Sequence, residues 1–170
     1  PGSLSFIAIA FTKTDMTANG PVPVLLVVRN LFWYTCRTHY PVSFTCGILE
    51  KFSLFLMIGI FDSGIGGMTV ARAVEQVLPQ YPLLYLGDIA RTPYGTKSDK
   101  TITAYSLENA RFLQSQGAKI IIIACNSAAS VATKRLRREF NIPIFEVITP
   151  AADQAVQMTK SGRIGIIGTA

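Results

Sequence analysis

The stretch KIIIIACNSAASVATKRLRREF, residues 119–140, decides the fold. It opens on an unbroken apolar, β-branched run, the pattern of a central parallel strand covered on both faces. It continues into a segment that reads as a helix. Upstream, SDKTITAYSLENARFLQSQG (98–117) reads as another helix, with Ser98 as N-cap and Gly117 at its C-terminal end. Before it, LLYLGD (83–88) is a strand that runs into a polar loop holding Pro93 and Gly95. Earlier still, MIGIF (57–61) is a short strand ending in DSGIGG (62–67), and the helical stretch MTVARAVEQVLP (68–79) closes on Pro79. Downstream come the strand IPIFEV (142–147), the helix PAADQAVQMTK (150–160) and a fifth strand, RIGIIGT (163–169). Strands and helices alternating at this spacing predict an α/β fold, a doubly wound parallel sheet flanked by helices.

The whole chain has 170 residues, of which 49% are hydrophobic and 15% charged, with a net charge of +6. A charged share below the usual value of about 25%, with high hydrophobicity, excludes intrinsic disorder. No uncharged apolar run reaches the roughly 18 residues of a membrane span, so no membrane partner is expected. Three cysteines do not make a disulfide framework, which favours a reducing cytoplasm. Residues 1–56 differ in character: four basic and two acidic side chains, no sustained apolar period, and interruptions at Pro21, Pro23 and Pro41. PVPVLLVVRNLFWYTC (21–36) reads as one strand and FSLFLMIGIF (52–61) as another. The region lacks a basic n-region and a cleavage site, so it does not read as a signal peptide.

In an open parallel sheet, ligands sit beyond the carboxyl ends of the strands. The residues there are Asp62-Ser63-Gly64, Asp88 with the Tyr94-Gly95 loop, Cys125-Asn126-Ser127, Thr149, and Gly168-Thr169. The glycines of DSGIGG invite a dinucleotide reading, but Thr69 stands where the third glycine belongs, and Asp62 lies where pyrophosphate would approach. The simpler reading is a tight strand-to-helix turn whose amides suit a carboxylate. Cys125 ends the most apolar strand and precedes a helix start, a placement that favours the thiolate. The alternative is an inert core cysteine. No Ser/His/Asp or Cys/His triad can be assembled, because the single histidine, His39, lies in the irregular first segment.

Taken together, IGIFDSGIGGMTV, the Pro93-Tyr94-Gly95 loop and IIIIACNSAAS, in that order, resemble the N-terminal half of a glutamate racemase, within the cofactor-independent aspartate/glutamate racemase superfamily. The resemblance covers residues 57–170 and implies one of two similar α/β domains, with the active site between them. It implies interconversion of L- and D-glutamate for bacterial peptidoglycan synthesis, without cofactor or metal, by two cysteines on opposite faces of the α-carbon. Cys125 matches the first cysteine, and a thiol can serve as base in one direction and acid in the other. Asp62 matches the acid beside it. Asp62, Ser63, Tyr94, Gly95, Asn126 and Ser127 match substrate-binding positions, Ser127 standing where the family usually has Thr, and Thr169 also lines the pocket. The implied partner is a small molecule, glutamate. A homodimer stays an open alternative to a monomer, as do an aspartate or related dicarboxylate substrate and a non-catalytic binding module.

Against the resemblance, the chain stops after the first domain, so the second cysteine is absent and the fragment is expected to be inactive alone. Residues 1–56 have no family counterpart, and Met57 looks like the natural start. Cys36-Arg37-Thr38-His39 resembles the missing Cys-Thr-His motif with one residue inserted, which chance explains better than circular permutation. Zinc binding by Cys36, His39 and Cys46 falls short of the usual four ligands. The basic run Lys134-Arg135-Leu136-Arg137-Arg138 reads as a solvated helix end that complements the helix dipole rather than as a nucleic-acid site.

Overall fold

The computed structural model describes residues 7–13, 22–29 and 56–168. The strands are β1 (Ile7–Lys13), β2 (Val22–Arg29), β3 (Met57–Asp62), β4 (Leu83–Gly87), β5 (Ala118–Ile123) and β6 (Ile144–Glu146). The helices are α1 (Met68–Val77), α2 (Asp99–Ser115), α3 (Asn126–Glu139) and α4 (Ile148–Met158). All six strands join one sheet in the order β1-β2-β4-β3-β5-β6. From β4 to β6 the pairing is parallel, as expected for strands that return through helices. The β1–β2 hairpin adds to the free edge of β4 in antiparallel sense. The sequence signalled β2 within 21–36 but not β1. Pro23 pairs only with Thr12 of β1 and lies outside the β4 register, where a missing N–H costs no ladder bond.

The helices pack on both faces of the parallel strands. On one face α2 and α3 bury Ile102, Ala110, Leu113, Ala128, Ala132 and Leu136 against Phe61, Leu84, Leu86, Ile121 and Ile123. On the other, Ala71 of α1, with Met68, Val70 and Val74, covers Ile58, Ile60, Leu83 and Tyr85. The two β5 residues on that face, Ile120 and Ile122, are only partly buried. The expectation of a strand covered on both faces thus holds unequally: Ile121 and Ile123 are fully buried on one face, while Ile120 and Ile122 pack, partly buried, against the α1 cluster on the other, and α4 has no buried residue.

The predicted fifth strand is corrected. Residues 163–168 form no strand, and Ile166 and Ile167 are 90% and 101% exposed. Apolar alternation makes a strand only where a neighbouring edge supplies hydrogen bonds, and no described edge lies beside this segment. The caps follow the sequence more closely. The Ser98 side chain accepts from the Thr101 amide, and Gly117 takes φ +99°, a conformation that favours glycine. Helix α4 begins two residues before the predicted Pro150, because the Glu146 carboxylate accepts from the amides of Ile148 (2.6 Å) and Thr149 (3.1 Å). Among the described residues no helix is long and apolar enough to cross a membrane.

Candidate active site

Parallel register sets three strand ends side by side. Asp62 pairs with Gly87, and the Asp88 amide then donates to the Asp62 carbonyl at 2.9 Å. On the other side the Ala124 amide donates to the Phe61 carbonyl at 2.9 Å, which delivers Cys125 to the same row. Cys125 is the N-cap residue of α3, and its Sγ donates to Ser63 Oγ at 3.4 Å. The thiol therefore meets the turn after β3 at the amino end of α3. Asp62 stands in the same relation to α1: its Oδ2 accepts from the Gly67 amide at 2.9 Å. Both groups are nearly enclosed, Asp62 7% and Cys125 6% exposed, so charge on either is screened little by water.

Gly67 of this turn and Gly87 at the end of β4 serve clearance rather than left-handed backbone. A Cβ at Gly67 would lie 2.8 Å from both Ala124 Cβ and Asp62 Cβ, and one at Gly87 would lie 2.5 Å from the Gly64 carbonyl. Gly67 also argues against a dinucleotide, since the amide a phosphate would need already serves Asp62. Among the described residues no three His, Cys, Asp or Glu side chains cluster closely enough to hold a metal ion.

Two buried tyrosines shape the site, one of them missed by sequence reading. Tyr85, on β4, donates its hydroxyl to the Gly64 carbonyl at 2.9 Å and makes a longer contact with Asp62 Oδ2 at 3.5 Å. Burial, reinforced by the Asp62 charge, pushes its phenol well above the usual tyrosine range. The signal was present: a lone phenol in an otherwise aliphatic strand needs a buried partner for its O–H. Tyr94, expected to bind substrate, is buried with its hydroxyl donated to Asp88 Oδ2. The Tyr94 hydroxyl is therefore committed inward rather than presented to a ligand.

Asp88, a strand-end residue, is a fully buried anchor. Its Oδ2 accepts from Arg91 Nε at 2.7 Å, from the Tyr94 hydroxyl and from Asn109 Nδ2 at 3.4 Å. Asn109 Nδ2 also donates to the Tyr94 hydroxyl at 3.0 Å. Arg91 continues the network to Glu108 Oε2 at 2.6 Å and Asn109 Oδ1 at 3.0 Å, and its guanidinium lies 4.2 Å over the Tyr105 ring.

Gly95 and Ser127 are half-buried and Asn126 is exposed, all at the carboxyl edge of the sheet. Thr149 belongs to the α4 cap, and Thr169 lies outside the described residues, as do Cys36, His39 and Cys46. In the basic run, Arg135 reaches Glu139 at 2.9 Å, as Arg111 of α2 also does, and Arg137 Nε donates to the Ile144 carbonyl.

Fold and site together define a doubly wound α/β protein that presents a cysteine and an aspartate, each at a helix N-terminus, in one row of strand ends. The protein-family profile for Asp/Glu/hydantoin racemase matches residues 68–170, and the chain belongs to that family. A glutamate racemase of Persephonella marina is 53% identical over 114 residues, 67% of this chain and 44% of that protein. The structure of glutamate racemase from Aquifex pyrophilus superposes with a TM-score of 0.60 at 47% identity, covering 61% of this chain and 41% of that one. The glutamate racemase of Francisella tularensis in complex with D-glutamate gives a TM-score of 0.56 at 42% identity, covering 59% and 39%. The chain thus spans less than half the length of the relatives it matches.

Proposed function

We propose that these residues form one half of a glutamate racemase active site. Cys125 removes or returns the α-proton on one face of glutamate, and the family's second cysteine serves the opposite face. The observation that carries this reading is the Cys125 thiol, 3.4 Å from Ser63 Oγ and in one row with Asp62. Asp62 relays the proton. The free amides of the Ser63-Gly64 turn, the Tyr94-Gly95 loop and the first turn of α3 with Asn126 and Ser127 bind the substrate carboxylates and amino group. Donors aimed at the α-carboxylate oppose the charge that builds as the proton leaves. No cofactor or metal is needed, and Thr169 completes the pocket. A cytoplasmic setting keeps the thiol reduced, and the product serves peptidoglycan synthesis.

Glutamate is favoured over aspartate by the relatives, whose names are all glutamate racemase at 46–53% identity. One observation favours an inert thiol in a non-catalytic module: Cys125 packs in the main core cluster with Ala128 and Ala129. Alkylation separates the two. Iodoacetamide should modify Cys125 readily, followed by peptide mass spectrometry, and glutamate should slow that modification more than aspartate does. A Cys125 that resists alkylation in the folded chain, or one that glutamate does not protect, overturns the racemase reading of this site.

A further inference from the structure

The Tyr94–Gly95 loop has little holding it except one buried cluster. Thr92, Pro93 and Thr96 are exposed, and an exposed loop of this kind is mobile unless tied down. What ties it is Asp88. That residue is fixed to the sheet through its own amide on the Asp62 carbonyl, and its Oδ2 gathers Arg91, Tyr94 and Asn109. From α2, Asn109 bonds the Tyr94 hydroxyl, and the Tyr105 ring packs on the Tyr94 ring at 5.7 Å. The loop is in turn beside the Asp62 turn, Thr92 Oγ1 lying 3.8 Å from a Cβ built on Gly64. Asp88 Oδ1 is buried with no hydrogen-bond partner among the described residues, which marks a carboxylate held for its position at a cost in solvation.

We propose that Asp88 is a positioning residue: by fixing the Tyr94 side chain from within, it presets the backbone of Tyr94 and Gly95 against the Asp62–Ser63 turn for a substrate carboxylate. The proposal rests on the glutamate reading of the site and extends it to a residue that touches no substrate. Its energetic logic is preorganisation. A loop ordered before binding leaves less entropy to be lost when the ligand arrives. Within the cluster, Asp88 and Glu108 hold the Arg91 guanidinium charged despite its partial burial.

The test compares the 170-residue chain with its Asp88→Asn variant, and with Tyr94→Phe, which deletes a single hydroxyl and disturbs folding least. Hydrogen exchange of the peptide covering residues 90–97 should quicken about tenfold in both variants, the scale of losing one charge-assisted hydrogen bond. Exchange across 126–139 should stay as in the parent. In both variants, the glutamate concentration that half-protects Cys125 from iodoacetamide should rise about tenfold, while alkylation without glutamate stays within about twofold. A merely structural role would accelerate that unprotected alkylation as well, because loosening the fold exposes the thiol. Unchanged exchange at 90–97, or exchange that quickens everywhere, overturns the proposal. If glutamate fails to protect the parent chain, the substrate reading falls, while the exchange measurement still decides whether Asp88 positions the loop.

Discussion

At the scale of single residues, the strand-end row is held by side chains committed to one another and to nearby backbone. Tyr85 is the clearest case. Its hydroxyl secures Gly64 from below while its ring fills the core under α1. Tyr85→Phe keeps the ring and removes the bond, so stability at neutral pH should fall by about 1 kcal/mol. The pH dependence follows from the raised phenol. The folded state holds that proton more tightly than the unfolded chain, so the contribution is fully present below the unfolded value of about 10 and is lost as pH rises beyond it. Urea midpoints at pH 7 and pH 10.5 should differ more for the parent than for the variant; equal differences would remove Tyr85 from this account. The motif residues Asp62, Ser63 and Cys125 were legible because they are small, polar and placed after aliphatic runs. Tyr85 was not, since its partners Gly64 and Asp62 lie on another strand end, and the anchoring role of Asp88 was not, since it joins the nearby Arg91 and Tyr94 to Asn109 of α2.

Among the elements, the helix ends show how local chemistry sets boundaries. Ser98 and Gly117 could be read directly, because N-caps and positive-φ exits act within a few residues. Helix α4 shows the limit of such reading. Its start depends on the Glu146 carboxylate reaching forward from β6 to the amides of Ile148 and Thr149. Partial burial works against the charge on Glu146, but these hydrogen bonds outweigh it and hold the carboxyl below its usual range. Its stabilisation is therefore present above about pH 4.3 and is lost as pH falls through the lowered folded value. Glu146→Ala should cost about 0.5–1 kcal/mol at pH 7 and progressively less under acid conditions. Circular dichroism melts at pH 7 and pH 3 would show it, and an equal loss at both would rule out the charged cap.

For the molecule as a whole, burial is uneven, and stability should follow it. Ile121 is fully buried between the sheet and the α2–α3 layer, so Ile121→Ala should destabilise by roughly 2–5 kcal/mol. Ile166→Lys, at a position as apolar in sequence but 90% exposed, should change stability by no more than about 0.5 kcal/mol. Thermal melts of the two variants test this, and a large loss from Ile166→Lys would mean that 163–168 pack on the sheet. The sequence pattern treats both isoleucines alike. Periodicity reports which residues could be buried, and only the arrangement of neighbouring elements reports which are.

The sequence alone determined the alternation of strands and helices from Met57 onward, the parallel sheet it builds, and the placing of Asp62, Ser63 and Cys125 at strand ends. Those features arise from short-range patterning and from the connection rules of parallel strands, both written locally in the chain. Tertiary structure decided the rest: the antiparallel hairpin on β4, the incomplete cover of one face of β5, the unpaired 163–168 segment, and the tie from Asn109 on α2 to Asp88 and Tyr94. Each of these depends on which surface meets which across long sequence separations. Pairing of that kind is a property of the assembled sheet and its layers, and no local run of residues carries it.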